Sequence, residues 1–116
     1  LTYLHNLPLI ENHESGWLAG VVRFEITGEI IEWRGPAPFY FVATPPEVTD
    51  EIEIYKRELS YGWGVIPATV TLGTITVTTS LIPRNGSFLV PIKDALRKPN
   101  AVQVGDEVSL LVELGR

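Results

Sequence analysis

Between Val22 and Trp33 the chain reads VRFEITGEIIEW, and its apolar residues change parity part-way along. Val22, Phe24, Ile26 and Ile30 fall on one side of an extended strand, with Arg23, Glu25, Thr27 and Glu29 on the other. Period-two alternation of this kind marks a strand with one face in a core. Gly28 interrupts the buried face, and the apolar positions shift at Ile31 and Trp33. A bulge or a sharp bend produces both effects, and small barrels require such bends in their strands.

The punctuation downstream is dense. RGPAP (Arg34 to Pro38) breaks the first strand and FYFVA (Phe39 to Ala43) starts another. TPPEVTDEIEIYKRELS then reads as a helix, with Thr44 or Thr49 available to cap its start. Val48, Ile52, Tyr55 and Leu59 form one apolar stripe along it, and YGWG ends it. VIPATVTL and TITVTTSL flank Gly73 as a tight hairpin, and PRNG is a further turn, with Asn-Gly suited to positive φ. SFLVP is a short strand, IKDALRK makes two helical turns stopped by Pro99, and VGDEVSLLVEL closes the chain as a strand opened by a Gly-Asp turn. The expectation is a mainly β protein: a small closed, double-split β-barrel of six to seven strands capped by two short helices. Residues 1–20 lack either periodicity and read as an irregular N-terminal arm, with Leu4, Leu7, Leu9 and Ile10 able to dock on the body; residues 21–116 read as a single barrel domain.

A chain of 116 residues fits one domain. It has no cysteine, so disulfides, thiolate metal sites and cysteine nucleophiles are excluded; a reducing cytoplasm is the expected location. No apolar run is long enough to span a bilayer, and the first residues lack the basic flank of a signal peptide. The first residue is Leu1, so a processed form is expected. The net charge is −5, and residues 84–116, with five Lys/Arg against four Asp/Glu, are close to neutral. Nucleic-acid binders carry a basic patch that neutralises phosphates. None is visible in the composition, so nucleic acid is not the expected partner.

The C-terminal stretch VPIKDALRKPNAVQVGDEV resembles the AbrB/MazE/MraZ class of swapped-hairpin proteins, through Val90, Pro91, Ile92, Ala95, Leu96, Gly105, Asp106 and Val108. An earlier unit, FYFVATPPEVTDEI followed by GWGVIPATVTLG, has the same order of strand, proline, helix, glycine and strand. If the two are a repeat, one chain supplies both halves that AbrB-like proteins obtain by dimerising, and a monomer is expected. Residues 22–115 also resemble a small bacterial and archaeal family of unknown function, often joined to YdeI/OmpD-associated bacteriocin-protection segments. Trp33, GWG at Gly62 to Gly64, TSL at Thr79 to Leu81 with Pro83, VPIKDALRK and VGDEV carry that likeness. The resemblance implies the double-split barrel fold and brings no activity with it.

Few residues offer chemistry. Trp63, between two glycines, can stack on a planar ligand at the barrel mouth or can plug the barrel end with Gly62 as the helix C-cap. Trp33 is read as a rim or plug residue. Ser80 has no histidine near it in sequence to act as a base, so hydroxyl bonding to a neighbouring strand is the better account. His5, Glu11, His13 and Glu14 have no spacing that defends a metal site, and neither metal nor cofactor is expected. Lys93 and Arg97 stand four apart and are expected to share a helix face that can hold an anion. Gly62, Gly64, Gly105 and Asp106 are structural turn residues, and no catalytic residue is assigned. The expected function is a non-catalytic module for a small ligand or a protein partner, with Trp33, Trp63, Ser80, Lys93 and Arg97 as candidate ligand contacts. An AbrB-like nucleic-acid binder is the alternative, and an enzyme working without His or Cys, through Ser80, Lys93 and acids, is the third reading.

Overall fold

The chain changes partners at Ile30. In this computed structural model, which describes residues 22–34, 39–60 and 64–115, β1 (Val22–Glu29) pairs antiparallel with β7 (Glu107–Leu114). The next strand, β2 (Ile31–Trp33), pairs instead with β3 (Phe39–Ala43). Ile30 is wholly buried between them. Its N–H donates to the Asp106 carbonyl at 2.9 Å, and its carbonyl accepts the Gly105 N–H at 2.9 Å. The bend inferred from the sequence is therefore a handover of one strand from one set of partners to another. The alternation does not change sides there. Phe24, Ile26 and Ile30 point inward, while Ile31 and Trp33 stay on the outer side, 43% and 45% exposed.

A second strand does the same. In β5 (Ile75–Arg84), residues 75–81 pair with β4 (Ile66–Leu72) and residues 82–84 pair with β6 (Ser87–Pro91). The order across the sheet is β1-β7-β4-β5-β6-β3-β2, all neighbours antiparallel. This is a seven-stranded open half-barrel carrying two helices, α1 (Pro46–Leu59) and α2 (Asp94–Arg97). The pairing pattern repeats within the chain. A strand that changes partners leads to β3, α1 and β4 in the first unit, and to β6, α2 and β7 in the second. β3 pairs with β6 and β4 with β7.

Local chemistry explains the joints. Asn85 and Gly86, with φ of 52° and 79°, make the two-residue loop between Arg84 and Ser87, the geometry that favours Asn-Gly in hairpins. Gly28 sits where β1 passes close to β3: a Cβ there would come within 2.7 Å of Val42 Cγ1. The gap in the buried face is thus space occupied by a neighbour. α1 starts with Pro45 as N-cap and Pro46 in the first turn, without a side-chain cap. Thr49, read as a possible cap, lies inside the helix. Val48 and Ile52 are buried and Tyr55 partly so, as the stripe predicts; Ser60 is the C-cap, and Gly62 lies outside the described residues. α2 has four residues rather than two full turns, and it anchors through Leu96, with Ile92 buried just before it.

Gly105 takes φ of 95°, and nothing lies within 4 Å of a Cβ placed on it. Its requirement for glycine is therefore one of backbone conformation and not of space. Gly105→Ala is expected to cost roughly 1–2 kcal/mol, read from the midpoint of a denaturant titration. An unchanged midpoint would contradict the strained turn.

A candidate binding groove on the outer sheet face

The outer face of the half-barrel has two characters. Where β1, β7, β4 and the first part of β5 meet, it is polar. Arg23 pairs with Glu113 at 2.7 Å, Thr27 with Ser109 at 3.2 Å, and Thr71 with Thr76 at 2.7 Å. Where β2, β3, β6 and the end of β5 meet, the outward residues are Ile31, Trp33, Phe39, Phe41, Ile82 and Leu89, and they line a groove of about 680 Å³. The register places Ile31 opposite Phe41, Trp33 opposite Phe39, and Ile82 opposite Leu89. The Phe39 and Phe41 rings lie 5.5 Å apart, tilted by 31°. Arg84 stands over Trp33, its guanidinium carbon 5.6 Å from the ring centroid, within cation–π range. Glu32, also in the lining, is paired with Arg34 at 3.6 Å.

A second depression of about 560 Å³ adjoins the first and shares Phe39 and Ile82 with it. Its other walls include Thr78, Ser80 and Lys93. Lys93 is the N-cap of α2, with extended backbone, and is not part of the helix. Its Nζ reaches back to β5 and donates to the Thr78 carbonyl at 3.0 Å.

The sequence candidates are thus sorted by the fold. Trp33, Ser80 and Lys93 come to one outer face. Arg97 does not join them: its guanidinium stacks on Tyr40 at 4.4 Å and bonds Asp94 Oδ1 at 2.8 Å. That hydrogen bond, reinforced by the charge of Lys98, holds the Asp94 carboxyl below the usual carboxylate range. The expected shared face of Lys93 and Arg97 fails because residues four apart align only when both are helical. Gly64 takes φ of 78°, and Asp106 Oδ2 accepts the Gln103 N–H at 2.9 Å. Trp63, His5, His13, Glu11, Glu14 and the arm at 1–20 lie outside the described residues. Among the described residues no group of His, Asp or Glu is placed to hold a metal ion, and no helix is long and apolar enough to cross a membrane.

Phe39, Phe41, Ile82 and Leu89 were not singled out in the sequence; Arg84 was noted there only as a cation near Lys93 and Arg97. The signal was there in FYFVA: both alternating sets are apolar, so one set faces away from the core.

Residues 27–112 match the model of a domain of unknown function, DUF1905. The chain belongs to this family. The matched span of the DUF1905 domain runs from Thr27 in β1 to Val112 in β7, so it takes in the groove and Lys93. No curated protein matches the chain.

Proposed function

We propose that this DUF1905 domain is a non-catalytic binding module, and that the groove on β2, β3, β5 and β6 takes a small ligand with an apolar body. The carrying observation is a concave apolar surface of about 680 Å³, with Trp33 half-exposed in its wall. Ligand pockets commonly occupy some 300–1,000 Å³ and are lined mainly by apolar and aromatic side chains. The polar face of the other strands supports the same reading, since nothing about folding requires one outer face to be apolar and its counterpart to be polar.

The same proposal includes the finer fold. A closed double-split barrel of AbrB-like type is supported by the joint at Ile30, which makes the sheet's two edge strands, β1 and β2, neighbours in the chain. A monomer accords with the internal repeat, because one chain carries both units, and a cytoplasmic location with the absence of cysteine. Nucleic acid is not the proposed partner: Arg97 and Lys98 are paired with Asp94, and the chain is acidic overall.

The test uses a neutral apolar dye, N-phenyl-1-naphthylamine, titrated into the folded protein. Saturable one-site binding is expected, and Trp33→Asp should weaken it roughly tenfold by losing apolar contact and placing a charge in the groove. The melting temperature should stay near the wild-type value, since Trp33 is half out of the structure already. Absence of saturable binding by the wild type would end this reading, and a co-purifying polypeptide in a native mass spectrum would replace the small ligand with a protein.

A further inference from the structure

The groove has a direction, and the direction specifies a ligand class. Along the outer face of β5 the side chains run Arg84, Ile82, Ser80, Thr78 and Thr76, so the surface passes from apolar to hydroxyl-bearing within one strand. From Arg84 to Thr78 is six residues, about 20 Å along a strand. The apolar groove and the depression at Lys93 meet at Phe39 and Ile82, which belong to both.

The charges follow the same axis. Arg23, Arg34, Lys56, Arg97 and Lys98 each have a carboxylate within ion-pair distance. Lys93, Arg57 and Arg84 have none among the described residues, and of these three only Lys93 lines the depression beside the groove. Among the described residues it is the one charged side chain lining that depression; it also borders a smaller hollow with Asp94, whose carboxylate is turned to Arg97 and Lys98. In a chain of net charge −5, an ammonium without a counter-charge beside Thr78 and Ser80 favours an anion and gives it hydrogen-bonding neighbours.

We propose that the ligand is a single-chain amphiphile with an anionic head group, its tail in the Trp33–Phe41–Leu89 groove and its head at Lys93. This rests on the groove reading above and adds the ligand's polarity and orientation. The tail displaces water from Ile31, Phe41, Ile82 and Leu89, and Phe39 stands at the junction of tail and head. Lys93 exchanges its bond to the Thr78 carbonyl for one to the head group, and Arg84 closes the far end over Trp33.

The experiment compares decanoate with decan-1-ol, each below its aggregation limit, by equilibrium dialysis against the full chain at pH 8. Wild type should hold the carboxylate roughly tenfold more tightly, the scale of one charge-assisted hydrogen bond. That preference should shrink with added salt. Lys93→Gln should abolish it while leaving decanol affinity and the denaturation midpoint unchanged, and Lys93→Arg should retain it. Equal wild-type affinity for the two overturns this inference and leaves the apolar groove standing. No binding of either overturns both. A preference lost in Arg84→Gln and kept in Lys93→Gln overturns the head-group placement. Binding to intact phosphatidylglycerol vesicles without binding of free decanoate overturns the single-chain ligand in favour of a membrane surface.

Discussion

Phe88→Ala is expected to destabilise the domain by roughly 3–5 kcal/mol, which would remove a large share of the stability of a protein this size. Phe88 is wholly buried, the second residue of β6, on the face opposite the groove. Its ring belongs to the core cluster that joins Phe24, Val42, Ile52 and Leu114, and the Lys56 ammonium lies 5.9 Å from its centroid. β6 links the two units through its pairing with β3 and is held within its own unit by its pairing with β5. A cavity there cannot be filled by one helix moving, because the sheet on both sides is hydrogen-bonded in register. A guanidinium titration should show the midpoint falling with the slope unchanged, as expected when stability changes and the denatured state does not. Phe88→Leu should recover more than half of the loss. A loss below about 1 kcal/mol in Phe88→Ala would mean that the core is repacking freely, contrary to the close packing of this structure.

Most of the strands were legible because each local rule was met. The alternation at Val22 to Ile30, the Asn85-Gly86 turn and the stripe of Val48 and Ile52 each fix an element without reference to distant residues. The two units, strand–proline–helix–glycine–strand, were also visible, and the structure adds what links them: β3 lies on β6 and β4 on β7. Sequence spacing has no access to such pairings, because they join residues tens of positions apart.

The site was less legible, for a specific reason. Ile31 and Trp33 look like a shift of parity only if every apolar residue is assumed to face the core. The strand keeps its alternation, and these two side chains form the wall of the groove. The same assumption concealed Phe39 and Phe41, since an apolar strand on both faces reads as central. Lys93 was visible as a cation but was placed on the wrong neighbour: one residue before the helix, it points to β5 and not to Arg97.

Thr44→Val is expected to cost about 2–3 kcal/mol although it removes only a hydroxyl, because that hydroxyl is the middle of a buried relay. Thr44 and Thr49 are both buried, and their Oγ1 atoms lie 2.6 Å apart. Each hydroxyl has one proton to give. Thr49 donates to the Pro45 carbonyl at 3.0 Å, so Thr44 donates to Thr49, and Thr44 Oγ1 accepts the Phe88 N–H at 3.1 Å. The chain of bonds runs from β6 through the β3–α1 connection into the first turn of α1. It also explains why Thr49 back-bonds within the helix and does not cap it. Valine at 44 keeps the shape but leaves the Phe88 N–H without an acceptor, away from water. Thr49→Val should cost less, near 1 kcal/mol, because Thr44 can still accept from Phe88. Thr44→Ser should restore most of the loss. The double variant Thr44→Val/Thr49→Val should be less destabilised than the sum of its parts, since the second substitution removes a bond the first has already broken. Strict additivity would show that the two hydroxyls act separately and that the relay does not exist as drawn.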